Sequence, residues 1–134
     1  MKEFWRYAVF VFGVLLICLP GCDSGPKLGR VSGTITINGE PVEQATITFT
    51  PADGQSSFAR TDANGFYELQ FSGGKQGALL GENYISIETG RVGTNEQGDL
   101  VEYPERLPAK YNAESEIVRE VNEGSQTIDF AIEL

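Results

Sequence analysis

The sequence predicts an all-β fold, an antiparallel β-sandwich of about seven strands that follows an N-terminal signal segment. Apolar and polar residues alternate at period two through most of residues 30–134, which is typical of strands with one buried face. Turn-forming residues interrupt this alternation at short intervals, and helical periodicity is almost absent. Two antiparallel sheets packed face to face form a sandwich of this size.

The alternation and the turns between its segments give the individual strands. They are predicted at residues 31–37, 45–50, 58–61, 66–71, 83–89, 116–121 and 127–134. Asn38-Gly39 separates the first two strands, because both residues tolerate the positive φ of a tight turn. The last strand has the clearest alternation, with apolar residues at 128, 130, 132 and 134. The inward positions predict the core: Val31, Ile35, Ile37, Ala45, Ile47, Phe49, Tyr67, Leu69, Phe71, Ile85, Ile87 and Phe130.

Residues 1–21 are predicted to form a secretory leader. Lys2 and Arg6 precede a stretch without charge that runs from Tyr7 to Leu19. A membrane-spanning helix requires about 20 apolar residues, and this stretch is shorter. Pro20-Gly21 would end a helix directly after it.

The end of the leader, Leu19-Pro20-Gly21-Cys22, resembles the bacterial lipobox. The resemblance implies removal of the leader before Cys22 and attachment of a diacylglycerol to the Cys22 thiol. Pro20 departs from the alanine, serine or threonine that is usual at its position. We therefore expect a protein anchored to a bacterial membrane through Cys22, in the cell envelope and outside the cytoplasm. A plain signal peptide and an uncleaved N-terminal anchor are the alternatives. Residues 22–29 would be the lipidated cysteine and a short polar tether.

Residues 30–134 contain two stretches that resemble the carboxypeptidase regulatory-like family. Gly33-Thr-Ile-Thr-Ile-Asn-Gly-Glu-Pro-Val42, continued by Ala45-Thr-Ile-Thr-Phe-Thr-Pro51, is similar to the opening pattern of that family. Thr61-Asp-Ala-Asn-Gly-Phe-Tyr-Glu-Leu69 is similar to its second motif. The resemblance covers residues 31–89 and extends to the last two strands only in pattern. It implies a seven-stranded sandwich of the transthyretin (prealbumin-like) type and implies no activity.

Composition excludes several kinds of chemistry. The chain has no histidine, which excludes serine–histidine and cysteine–histidine nucleophiles and ordinary zinc sites. Cys18 and Cys22 are the only cysteines, so no disulfide framework is expected. The net charge is −9, and it becomes −10 without residues 1–21, which carry +1. Because an acidic surface repels phosphates, we expect no nucleic-acid partner. We expect no catalytic residue, metal or cofactor, and no enzymatic activity.

Three groups of side chains have both a functional and a structural interpretation. Asp62, Asn64 and Gly65 suit calcium, but an Asx-type hairpin turn is favoured because the distant bidentate glutamate of a calcium loop is missing. The glutamates within residues 114–123 suit general acid and base catalysis of sugar hydrolysis, but a solvated strand face is favoured. Carbohydrate binding would require exposed aromatic rings. The aromatic residues left uncertain are Phe58, Phe66, Tyr84, Tyr103 and Tyr111.

Residues 90–112 are predicted to form a long connection without strands. Connections of this length in compact domains are usually functional or disordered. The candidate interaction residues within it, chosen because tyrosine and arginine are common in interfaces, are Tyr103, Arg106, Lys110 and Tyr111. The structural alternative is a cover over an open sheet edge, with Leu107 and Tyr111 packed down. The sequence thus predicts a non-catalytic binding module for an unidentified envelope protein or glycan. The alternative is a structural or assembly component of the envelope without a small ligand.

Overall fold

The computed structural model describes residues 25–134, and the leader, the lipobox and Cys22 lie outside this range. The strands in chain order are β1 (Leu28–Ile37), β2 (Glu40–Pro41), β3 (Thr46–Pro51), β4 (Ser57–Arg60), β5 (Phe66–Glu68), β6 (Ala78–Leu79), β7 (Gly81–Glu88), β8 (Arg91–Thr94), β9 (Leu100–Tyr103), β10 (Val118–Val121), β11 (Gly124–Thr127) and β12 (Phe130–Ile132). Short 3-10 turns occupy Ser72–Gly74 and Ala109–Tyr111. Within residues 25–134 no helix has the length and apolar character needed to cross a membrane.

Two sheets pack face to face, which confirms the predicted all-β sandwich. The first sheet is built around β1, which pairs with β2, β5, β6, β11 and β12. The second sheet has the strand order β10-β7-β3-β4, and β8 and β9 form a separate two-stranded ribbon. The strand pairs are antiparallel except that β1 runs parallel to β11 and β12. The sandwich therefore contains a parallel component that the prediction of antiparallel sheets did not include.

Strand β1 changes partner along its length. Its first half pairs with β11, and residues 35–37 pair with β12. Gly33 lies between the two halves, where an added Cβ would lie 2.0 Å from the carbonyl oxygen of Ile128. Glycine permits this close approach of two backbones. The prediction of one continuous strand over residues 127–134 was therefore wrong, because the chain breaks at 128–129 to pass Gly33.

The core lies between the two sheets and consists mostly of the residues that the alternation predicted. Ile35, Ile47, Phe49 and Leu69 are completely buried. Tyr67 is buried with them, and burial raises the pKa of its hydroxyl far above the ordinary value. The prediction of a buried Phe71 was wrong, because its side chain is only half-buried. Leu134, the last residue of the predicted alternation, is 60% exposed.

Thr61 fixes the end of the second sheet from which residues 90–111 depart. Its hydroxyl is buried, donates to the carbonyl oxygen of Val42 at 2.5 Å and accepts from the Ala45 N–H at 2.9 Å. Without the Thr61 hydroxyl, both backbone groups would be buried without this hydrogen bond, which would lower the free energy of unfolding. Thr61 thus holds the segment before β3 against the end of β4.

Candidate functional site

Residues 90–112 contain a β-hairpin, so the prediction of a connection without strands was wrong there. β8 and β9 pair in antiparallel fashion from Arg91 opposite Tyr103 to Thr94 opposite Leu100. We call residues 90–111 the arm. It comprises this hairpin and the segment that leads back to the sandwich and ends in the 3-10 turn.

The turn at the tip of the arm has the same form as the turn predicted at Asp62. The Asp62 carboxylate accepts hydrogen bonds from the backbone N–H groups of residues 64 and 66, at 2.9 and 3.0 Å, and Gly65 has a φ of 74°. In the arm, the Asn95 side-chain oxygen accepts from the N–H groups of residues 97 and 99, at 3.0 and 2.9 Å, and Gly98 has a φ of 84°. This recurrence in the sequence is the signal that could have revealed the hairpin.

The turn at Asp62 confirms the Asx interpretation of that cluster. The strands on its two sides, β4 and β5, belong to different sheets, and an isolated antiparallel bridge links Phe58 of β4 to Gln70, two residues after the end of β5. The turn therefore carries the chain from one sheet to the other and does not close an ordinary hairpin. In the part of the chain that the structure describes, no cluster of three or more histidine, cysteine, aspartate or glutamate side chains is placed to hold a metal ion.

The two faces of the hairpin differ in character. Strand alternation places Val92, Thr94, Leu100 and Glu102 on its outer face. Val92 is 70% exposed and Leu100 is 82% exposed, which makes them the most exposed large apolar side chains of residues 25–134. On the other face the Arg91 guanidinium lies 4.0 Å from the centre of the Tyr103 ring, in a cation–π contact. The outer face of the hairpin thus presents two exposed apolar side chains beside Thr94 and Glu102, and the cation–π contact links its two strands on the inner face.

Glu105 attaches the arm to the end of β7. Its carboxylate accepts hydrogen bonds from the Thr89 N–H at 2.9 and 3.0 Å and from the Thr89 hydroxyl at 2.6 Å. It also accepts from the Gly90 N–H at 2.9 Å and from the Leu107 N–H at 3.0 Å. Burial alone would raise the pKa of Glu105, but these hydrogen bonds outweigh it and hold the pKa below the ordinary value. Sequence reasoning did not select Glu105, because a single glutamate in a charged segment matches no motif.

The four predicted interaction residues do not form one cluster. Tyr103 and Arg106 line a small pocket of about 140 Å³ together with Glu43, Thr89, Arg91 and Pro104. Lys110 and Tyr111 lie instead on the 3-10 turn, with the Lys110 ammonium 5.2 Å from the centre of the Tyr111 ring. Leu107 is buried and Tyr111 packs against the core, so this end of the arm covers the sandwich as the structural alternative proposed.

The arm leaves the sandwich at the pole opposite the start of β1. β1 begins at Leu28, which pairs with Leu79, and β7 begins two residues later at Gly81. β7 then runs along the sheet for eight residues, or roughly 27 Å, to Glu88. The arm follows directly from that far end. The N-terminal end of the described chain and the arm are thus separated by the length of the sheet.

The structure also settles the exposure of the remaining aromatic side chains. Phe58 is 60% exposed and Tyr84 is 53% exposed, and both lie on the outer face of the second sheet. Phe66 is 42% exposed on the first sheet. The glutamates at 114, 116, 120 and 123 are exposed, in agreement with a solvated surface.

Comparison with known proteins gives only a distant likeness. The chain matches no protein-family model. It matches no curated protein. Among solved structures, BcpA, the major pilin subunit of Bacillus cereus, is 19% identical, with a TM-score of 0.45 over 81% of this chain and 30% of that chain.

Two further solved structures have similar scores. A DUF3823 family protein from Parabacteroides merdae is 8% identical, with a TM-score of 0.44 over 80% of this chain and 46% of that chain. A candidate carbohydrate-binding protein from Pseudomonas aeruginosa is 13% identical, with a TM-score of 0.44 over 79% of this chain and 89% of that chain. The chain therefore spans less than half the length of BcpA and of the DUF3823 protein. The assignment of the sandwich rests on the strand pairing described above.

Proposed function

We propose that the protein is a lipid-anchored component of a bacterial cell envelope. In this proposal a carboxypeptidase regulatory-like sandwich displays the arm to a partner protein. The observation that carries the proposal is the placement of the two ends. The expected lipid site, Cys22, precedes the start of β1 at Leu28 by six residues, and the arm lies at the opposite pole. Six residues reach at most about 20 Å, so the anchor would hold the pole near Leu28 close to the membrane and direct the arm away from it.

The exposed face of the arm suits a partner with an apolar centre. Val92 and Leu100 leave apolar surface in water, and an isolated two-stranded hairpin is only marginally stable without further packing. Within residues 25–134 the outer edges of β8 and β9 pair with no other strand, so their backbone groups are available for strand addition. A partner strand would bury the apolar residues and extend the ribbon at the same time.

Charge favours a basic rim on that partner. The chain without its leader carries a net charge of −10, and Glu96 and Asp99 lie at the tip of the arm, with Glu102 on its outer face. Complementary charge mainly accelerates association and excludes acidic competitors.

Site-specific photocrosslinking in native envelopes tests this proposal. A photoreactive side chain at Leu100 of the full-length protein should give a discrete adduct with another protein, and the same probe at Val92 should give the same adduct. The matched control is Lys75, which is exposed near the opposite pole, and it should not give that adduct.

The partner that the adduct identifies also distinguishes the two expected roles. Its co-purification in a one-to-one complex with every copy of the unmodified protein would favour the structural role, and co-purification with only a fraction of the copies would favour a binding module. Adducts from Leu100 to lipid alone, or the same protein adduct from Lys75, would contradict the proposed orientation.

A further inference from the structure

The outer face of the second sheet carries two exposed aromatic rings at related positions. Phe58 on β4 lies opposite Thr48 on β3, and Tyr84 on β7 lies opposite Thr50 on the same central strand. The rings therefore stand on either side of β3 and are offset by two residues along it. With strand spacings of about 4.8 Å and a rise of about 3.4 Å per residue, the Cα atoms of Phe58 and Tyr84 are roughly 12 Å apart.

Hydroxyl groups occupy the surface between the rings. The outward-facing residues of β3 and its neighbours in this region are Thr46, Thr48, Thr50, Ser56 and Ser86. The Ser56 hydroxyl donates to the Thr50 hydroxyl at 3.0 Å, which fixes one pair. Each hydroxyl has one donor and two acceptor sites, so the surface between the rings offers many hydrogen-bonding sites at short intervals.

The centre of this face is uncharged, although the chain as a whole carries a net charge of −9. The two cross-strand rows that contain the rings hold Phe58, Thr48 and Ser86 in one and Thr50, Tyr84 and Val118 in the other. Charged side chains begin in the flanking rows, with Arg60 and Glu88 on one side and Glu82 and Glu120 on the other. A neutral ligand is therefore favoured over an ionic one.

We propose that this face binds a neutral polysaccharide chain. Pyranose rings present C–H bonds on one face, and these stack on the electron-rich faces of aromatic rings such as Phe58 and Tyr84. Sugar hydroxyls are both donors and acceptors, so they can form hydrogen bonds with the threonine and serine hydroxyls between the rings. A protein partner would bury those hydroxyls against a surface that is partly apolar. Each hydroxyl left without a hydrogen-bond partner would cost free energy. The surface is separate from the arm, so the inference goes beyond the proposed function and does not depend on it.

Affinity gel electrophoresis of the full-length protein in a sugar-free detergent tests the inference. The gels contain a panel of neutral polysaccharides: a β-glucan, an α-glucan, a mannan, a xylan and a galactan. At least one of them should retard the protein. Phe58→Ala and Tyr84→Ala should each weaken binding about tenfold, and the double variant about a hundredfold. Both side chains are exposed, so an unchanged thermal midpoint is expected for each variant.

Two controls separate this face from the rest of the molecule. Phe66→Ala removes an exposed aromatic ring from the other sheet, and Leu100→Ser alters the arm; both should bind the polysaccharide as the unmodified protein does. Retardation should be equal at low and high salt, because no charge pairs are involved. The inference would be overturned by no retardation on any polysaccharide, by full binding of the double variant, or by equal loss in Phe66→Ala. None of these outcomes would alter crosslinking from the arm.

Discussion

At the residue scale, Glu105 shows how one side chain determines the position of a whole segment. Its carboxylate accepts hydrogen bonds from Thr89, Gly90 and Leu107, which lie on both sides of the hairpin in the chain. The Thr89 hydroxyl in turn accepts from the Arg106 N–H at 2.7 Å. The contacts with Thr89 and Gly90 join residues 15 to 17 positions apart, so no local pattern in the sequence could indicate them. Tyr103 and Arg106 could be selected by residue type, whereas the residue that positions them could not.

Acidification should release the arm from the sandwich. The folded-state pKa of Glu105 lies below its ordinary value, so its contribution to stability is complete above the unfolded-state pKa of about 4.3. That contribution is lost as the pH falls through the folded-state pKa. In an acid titration followed by NMR, the amide signals of Thr89, Gly90 and Leu107 should move together below that value. Movement with a midpoint above 4.3 would contradict the attachment.

Glu105→Gln should loosen the arm at neutral pH. The amide keeps one acceptor oxygen but loses the charge and the second acceptor, so local opening should become easier by about 1 to 2 kcal/mol. Hydrogen exchange of the Gly90 and Leu107 amides measures this opening. Glu102→Gln is the matched control, because Glu102 is exposed on the outer face of the same hairpin. In this variant the exchange of the Gly90 and Leu107 amides should be unchanged.

At the element scale, strands with a buried face were predictable and the ribbon was not. β3 presents apolar residues to the core at every second position, and β7 does so at Ile85 and Ile87, so alternation detects both strands directly. β8 and β9 have no fully buried face, because Val92 and Leu100 point to solvent and Arg91 packs on Tyr103. Their strands therefore lack the pattern that identifies the others. The turn from Asn95 to Gly98 was the available local signal.

The partner change in β1 depends on Gly33, and its replacement should be severely destabilising. In Gly33→Ala the new Cβ would meet the carbonyl oxygen of Ile128, which belongs to a backbone that cannot easily move. We expect a loss of about 3 kcal/mol or more in the free energy of unfolding by urea. Gly39→Ala is the control: it meets no atom within 4 Å but has a φ of 83°, so it should cost only about 1 kcal/mol. Equal losses would contradict the close crossing at Gly33.

At the scale of the whole molecule, the layers could be predicted and their connections could not. Alternation and chain length indicate two packed sheets, but they carry no information on which strands meet. The parallel pairing of β1 with β11 and β12 joins segments about 95 residues apart. The separation of the arm from the start of β1 follows from the pairing of β1 with β6 and from the path of β7. The shared outer face of Phe58 and Tyr84 likewise appears only once β3 is placed between their strands.

The central claim is that this sandwich is held at a membrane by a lipid on Cys22, and metabolic labelling with a radioactive fatty acid tests it most directly. The unmodified protein should take up the label and lose residues 1–21. Cys22→Ala should remain unlabelled and keep its leader, whereas Cys18→Ala, which changes the other thiol of the chain, should be labelled and processed normally. Normal labelling of Cys22→Ala, or no labelling of the unmodified protein, would contradict the claim.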